Sequence, residues 1–214
     1  MKIFKAEINK IILALTSVGI VILLMLPVNL SASHYRYGTM YWEPISDNGT
    51  HVTIRLKMVN GWRTAYNNFL KTVGSRNSTW VDIIWGDGNA AESVDLRTIS
   101  IDSTTGSSLT EMGVWSSSVW TTGVTHSYPD NGTTEYVAYW TGGDRISGIK
   151  NGLSNKSWRG ETKVNIGGTY DGNVSPVSAV PPIVKVQDNT TDNFMYQVVA
   201  TDAIGDNLSY RWGT

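Results

Sequence analysis

Cysteine is absent from all 214 residues. That excludes disulfide bridges, a thiol nucleophile and thiolate metal sites. Histidine is scarce, with only His34, His51 and His126. Charge is sparse as well: 16% of residues are charged, with a net charge of −1. No Lys/Arg cluster or basic helix stands out, so the chain lacks the basic field that holds nucleic acid. Helical periodicity is nearly missing after residue 33. There is also no G-x-S-x-G nucleophile elbow.

One long apolar run is present, at the start. Lys2, Lys5 and Lys10 precede Ile11 to Leu26, which carries no charge, and Pro27 and the small residues Ser31, Ala32 and Ser33 follow. Basic flank, apolar core and small-residue exit are the layout of a secretory signal peptide, with cleavage expected near Ser33. The alternative is an uncleaved membrane anchor, although the run is short for a span. Setting residues 1–33 aside removes three lysines and one glutamate and leaves 14 basic against 17 acidic residues. The expected setting is secreted or cell-surface. A membrane link is expected only through an uncleaved start or a further C-terminal segment.

Without disulfides, an exported body depends on burial, and nine Trp and ten Tyr suit that task. Short β-branched and aromatic runs alternate with Gly, Asn, Asp and Ser clusters. Strands are predicted at Tyr35–Trp42, His51–Val59, Trp80–Trp85, Val94–Ile101, Val119–Ser127, Glu135–Trp140 and Glu161–Ile166. Val52, Ile54, Leu56 and Met58 alternate with Thr53, Arg55 and Lys57, the mark of a strand with one wet face. One helix is predicted over Trp62–Val73, where Trp62, Tyr66, Phe69 and Val73 fall three and four apart. The fold class is therefore all-β, an immunoglobulin-like sandwich over residues 34–170. Residues 171–182, with Pro176, Pro181 and Pro182, read as a linker. Residues 183–214 read as an incomplete second β module, with strands at Ile183–Val186, Met195–Ala200 and Leu208–Trp212. Thirty-odd residues are too few to close a sandwich alone.

The most specific motif is Trp85-Gly86-Asp87-Gly88 after the strand Val81–Ile84. Thr125-His126-Ser127-Tyr128 and Asn131-Gly132-Thr133 follow downstream. Two glycines around an aspartate permit positive φ in a tight turn whose carboxylate accepts backbone hydrogen bonds. Trp85 would plug the core, and His126 and Tyr128, two apart, would share a strand face. Asp87 and His126 could be a catalytic or metal pair, or a turn clamp beside a packed ring. The second reading is adopted, because no further histidine or carboxylate stands at ligand spacing. These residues resemble the polycystic-kidney-disease (PKD) domains over roughly residues 35–166, with Ile83-Ile84-Trp85 in place of that family's Trp-x-Phe.

A second likeness lies in the run from Met195 to Asp202, continuing through Gly205-Asp206-Asn207-Leu208-Ser209-Tyr210. It resembles cadherin-like and bacterial Ig-like modules. The resemblance implies calcium at Asp202 and Asp206, although Ile204 replaces the second ligand of the cadherin pair. The N-terminal run Ser33-His34-Tyr35-Arg36-Tyr37-Gly38-Thr39 is similar to the opening strand of modular exported surface proteins, a group with no assigned reaction. Asn48, Asn77, Asn131, Asn155, Asn173, Asn189 and Asn207 each begin an Asn-x-Ser/Thr acceptor for glycosylation.

No catalytic constellation is expected. The function read from the residues is a structural or adhesive surface module contacting other surface proteins or glycans. The alternative is a carbohydrate-binding module or an accessory domain of a secreted carbohydrate-active enzyme. Exposed Trp115, Trp120, Trp140 and Trp158 would favour that alternative.

Overall fold

The computed structural model describes residues 34–130, 132, 134–147, 156–179 and 198–210. The expected signal peptide, the segments 183–186 and 195–197, and the acceptors Asn131, Asn155 and Asn189 lie outside the described residues. Among the described residues no helix is long and apolar enough to cross a membrane.

The chain folds as an all-β protein. Strands β1 (Tyr35–Asp47), β2 (His51–Arg63), β3 (Arg76–Ile83), β4 (Glu92–Asp102), β5 (Ser107–Ser116), β6 (Val119–Thr122) and β7 (Val124–Pro129) form a seven-stranded antiparallel sheet. Its main path runs β1-β2-β5-β4-β3. Strands β8 (Thr134–Gly142) and β9 (Trp158–Ile166) form a second, two-stranded sheet. Two-residue strands β10 (Val177–Ser178) and β11 (Ala200–Thr201) pair with each other. A bridge between Ile84 and Tyr139 ties the end of β3 to β8, and the Trp42 indole donates to the Lys163 carbonyl at 2.7 Å.

The alternation in β2 sets the core. Val52, Ile54, Leu56 and Met58 are buried, while Thr53, Arg55 and Lys57 are half-exposed. They join Trp42, Leu96 and Met112 of the large sheet, and Ala138, Trp140, Trp158 and Val164 of the small one, in a single cluster. Each such side chain contributes roughly 1.5–3 kcal/mol on burial, so the core rather than sulfur chemistry holds the body together.

Four findings differ from the expectations. The helix over Trp62–Val73 is absent. β2 extends to Arg63, and two short 3₁₀ turns follow, Thr64–Tyr66 and Asn68–Lys71. The carbonyls of Phe69 and Leu70 accept hydrogen bonds from the hydroxyls of Thr98 and Ser108, at 2.9 and 2.7 Å. The spacing that suggested a helix instead serves turns pinned to β4 and β5. Second, the run Val119–Ser127 is two strands. Gly123, at φ 83°, breaks it, so that β6 pairs with β5 and β7 pairs with β2. Third, strand β5 was not foreseen. The expected strand from Leu208 does not form over its described part, 208–210.

Candidate functional site

The structure brings the two halves of the Trp-Gly-Asp-Gly motif together. Asp87 sits in the turn after β3, and His126 on β7; the His126 Nε2 and Asp87 Oδ2 lie 2.7 Å apart. The His126 ring stacks on Trp85 with centroids 4.2 Å apart, and the Tyr128 hydroxyl donates to the Trp85 carbonyl at 2.9 Å. Asp87 also accepts from the Asn89 backbone and side-chain amides at 3.0 and 2.7 Å. Burial alone would raise the Asp87 carboxyl, but the hydrogen bonds from His126 and Asn89 outweigh it and hold the group below the usual carboxylate range. Burial pushes the Tyr128 phenol well above its usual range. His126 is thus held between the Asp87 carboxylate and the Trp85 ring. What it joins is the turn 86–88 to β7.

A second cluster, which sequence reasoning did not assemble, forms an open cleft of about 550 Å³ where β2, β3, β8 and β9 meet. Its walls include His34, Trp62, Tyr66, Trp80, Trp140 and Trp158, with Asp82 and Asp144 among the lining residues. His34 stacks on Tyr66 with centroids 3.4 Å apart. Trp80 stands edge-on to both Trp62 and Tyr66, at 6.3 and 5.8 Å. The indole N–H of Trp62 donates to Thr110 Oγ1, and that of Trp158 to the Gly143 carbonyl, each at 3.0 Å. Asp144 takes a positive φ of 69°, and its carbonyl accepts from the backbone N–H of His34 and Tyr35. Burial lowers the His34 pKa, against the pull of Asp144 and with the push of Arg63. Burial and Asp144 both raise the Tyr66 phenol.

Two acidic groups could offer oxygen to a cation. Carboxylate oxygens of Asp47, Asp130 and Asp171 lie within 4.8 Å of one another. Three such ligands are fewer than the six to eight oxygens a calcium site takes. At the position expected for calcium, Asp202 Oδ1 accepts from the backbone N–H of Ile204 and Asp206 at 2.9 and 3.3 Å, closing its own turn. Asp206 itself is exposed.

The four candidate tryptophans do not form a row. Trp140 and Trp158 are core residues, 2% and 5% exposed. Trp115 and Trp120 face each other across the β5–β6 hairpin, and Arg76 lies over the Trp115 ring at 3.7 Å. Of the described glycosylation acceptors, Asn48 and Asn207 are exposed, while Asn77 and Asn173 are half-buried. The Asn173 amide donates to the Asn165 carbonyl.

The family profile described as Integrin beta-like protein A-E, N-terminal, matches residues 36–167, nearly the whole span from β1 to β9. The chain belongs to this family. Integrin beta-like protein C of Dictyostelium discoideum is 33% identical over 182 residues, which is 80% of this chain and 8% of that protein. The chain thus spans a small part of the length of the curated relative it matches. No solved structure matches the chain. The matched residues include the Trp-Gly-Asp-Gly turn and most of the aromatic cleft; the finer likenesses to PKD and cadherin modules rest on their motifs alone.

Proposed function

We propose that this chain is an extracellular or cell-surface structural and adhesion module, a rigid β body that presents contact surfaces to other surface proteins or glycans. Membership of the integrin beta-like N-terminal family is the observation that carries this reading. The composition agrees with it: no basic field for nucleic acid, and an apolar start suited to export. The chemistry proposed is contact without turnover. In support, the one close Asp–His pair among the described residues is spent on fixing a turn. Of the two kinds of partner, protein contact has the better support, because Trp140 and Trp158 are buried and Arg76 covers a face of Trp115.

The test is expression of the full chain in a secreting host cell. Surface biotinylation and extracellular protease should reach it on intact cells, or the protein should be in the medium. Beads carrying the full chain should adhere to cells, and soluble full chain should compete. Retention inside the cell, or beads no stickier than those carrying a denatured control, would overturn the reading.

A further inference from the structure

We propose that the aromatic cleft receives the side chain of a lysine or arginine from a protein partner. This deepens the contact reading above by naming what one contact surface recognises. Three observations carry it.

The first is shape. Trp80 meets Trp62 at an interplanar angle of 86° and Tyr66 at 68°. Rings set this way make a corner, which surrounds a compact group, rather than a platform, which carries a flat sugar. Tyr66 is the most exposed large apolar ring in the cleft, at 38%, and His34 covers one of its faces. A flat saccharide ring fits such a corner less well than a compact cation, which needs one ring face within about 6 Å.

The second is polarity. The Trp62 and Trp158 indole N–H groups are already committed to Thr110 and Gly143. The acidic residues lining the cleft are Asp82 and Asp144; among the described residues no lysine or arginine lines it, and Arg63 acts on His34 from outside the lining. One Asp82 oxygen accepts from Ser93; the Asp144 carboxylate has no ion-pair partner among the described residues. Negatively charged hydrogen-bond acceptors beside aromatic walls suit a donor-only cation, which an ammonium or guanidinium is.

The third is placement. Asp144 occupies the left-handed region, a conformation that costs a non-glycine residue energy. Its carbonyl is bonded by the His34 and Tyr35 N–H groups, and its charge acts on His34 and Tyr66 of the cleft wall.

The experiment titrates the full chain with four probes: blocked tripeptides carrying lysine, arginine or norleucine, and a neutral trisaccharide. Tryptophan fluorescence reads binding. The lysine and arginine peptides should bind at least tenfold more tightly than the norleucine peptide. Raising salt should weaken them. The double variant D82N/D144N should weaken them about tenfold; Asn tolerates the left-handed backbone at position 144. Y66L, which removes an exposed ring, is the second variant and should weaken them several-fold with the fold intact by circular dichroism. Equal binding of the norleucine peptide, binding of the trisaccharide alone, or indifference to both variants would overturn the proposal. Peptide selectivity with failed bead adhesion would sink only the adhesion reading, and the reverse result would sink only this one.

Discussion

Gly86 and Gly88 flank the same aspartate with nearly the same backbone, φ 80° and 87°. A purely conformational view gives them equal weight. Replacing either with alanine puts a Cβ into the left-handed region, at about 1 kcal/mol. Their surroundings differ. A Cβ on Gly86 would collide with the Val137 carbonyl oxygen of β8 and lie 3.0 Å from the Val137 nitrogen. Those are backbone atoms of a paired strand, and they cannot rotate away as a flexible side chain could. Among the described residues, nothing lies within 4 Å of a Cβ on Gly88. The overlap at Gly86 adds roughly 1–3 kcal/mol. G88A should therefore cost about 1 kcal/mol and G86A about 2–4 kcal/mol. Urea unfolding followed by tryptophan emission measures both, with the midpoint falling at unchanged slope. Equal losses in the two variants would refute the argument that this turn is a contact between the sheets as well as a bend.

Three further outcomes are expected. D87N should cost roughly 2 kcal/mol at pH 7, where a charge-assisted hydrogen bond is lost; because the folded carboxyl lies below its usual value, its stabilisation is full above about pH 4 and fades on further acidification, so pH-dependent unfolding curves of D87N and the natural chain should converge towards pH 2. The hairpin turn Ser117–Ser118 has both residues at positive φ, 49° and 62°, the two-residue geometry that Asn-Gly favours. S117N/S118G should therefore raise stability by about 1 kcal/mol in thermal unfolding, and a loss would mean the serines make contacts that outweigh their backbone strain. At the Asp47–Asp130–Asp171 cluster, like charges within 4.8 Å repel by about 0.9 kcal/mol per pair in water; D171N should gain several tenths of that at low salt and nothing at 1 M salt, as read by paired melting curves.

Much of the large sheet was legible because its inward residues are apolar at period two, as in β2 and in Val94 and Leu96 of β4. β5 was not legible, for a physical reason. Its inward positions include Ser108 and Thr110, which are fully buried because they bond to the Leu70 carbonyl and the Trp62 indole. A strand that buries hydroxyls looks polar in sequence. The Ser108 bond, with that from Thr98 to the Phe69 carbonyl, also explains the mistaken helix, since the two pin the segment 64–71 as turns. At the site, the residues of the Asp87 motif could be named from their types and local spacing. Their meeting with His126, 39 residues on, depends on which strand lies beside β2. The cleft was less legible still. Trp62 lies on a strand and Tyr66 in a turn, Trp80 on another strand and Asp144 in a loop, and only sheet register brings them to one place.

β2 bonds to β1 along one side, but its other side is shared. Residues 51–56 pair with β7, and residues 59–63 with β5. As the chain leaves the ribosome, β1 and β2 are complete long before Pro129 arrives. At synthesis rates of about 5–20 residues per second, the half of β2 that waits for β7 stays an open edge for roughly 3–15 s. An unpaired strand bearing Val52, Ile54 and Leu56 is a template for pairing with a neighbouring nascent chain. Yield in a heterologous host should then depend less on final stability than on what shields that edge meanwhile.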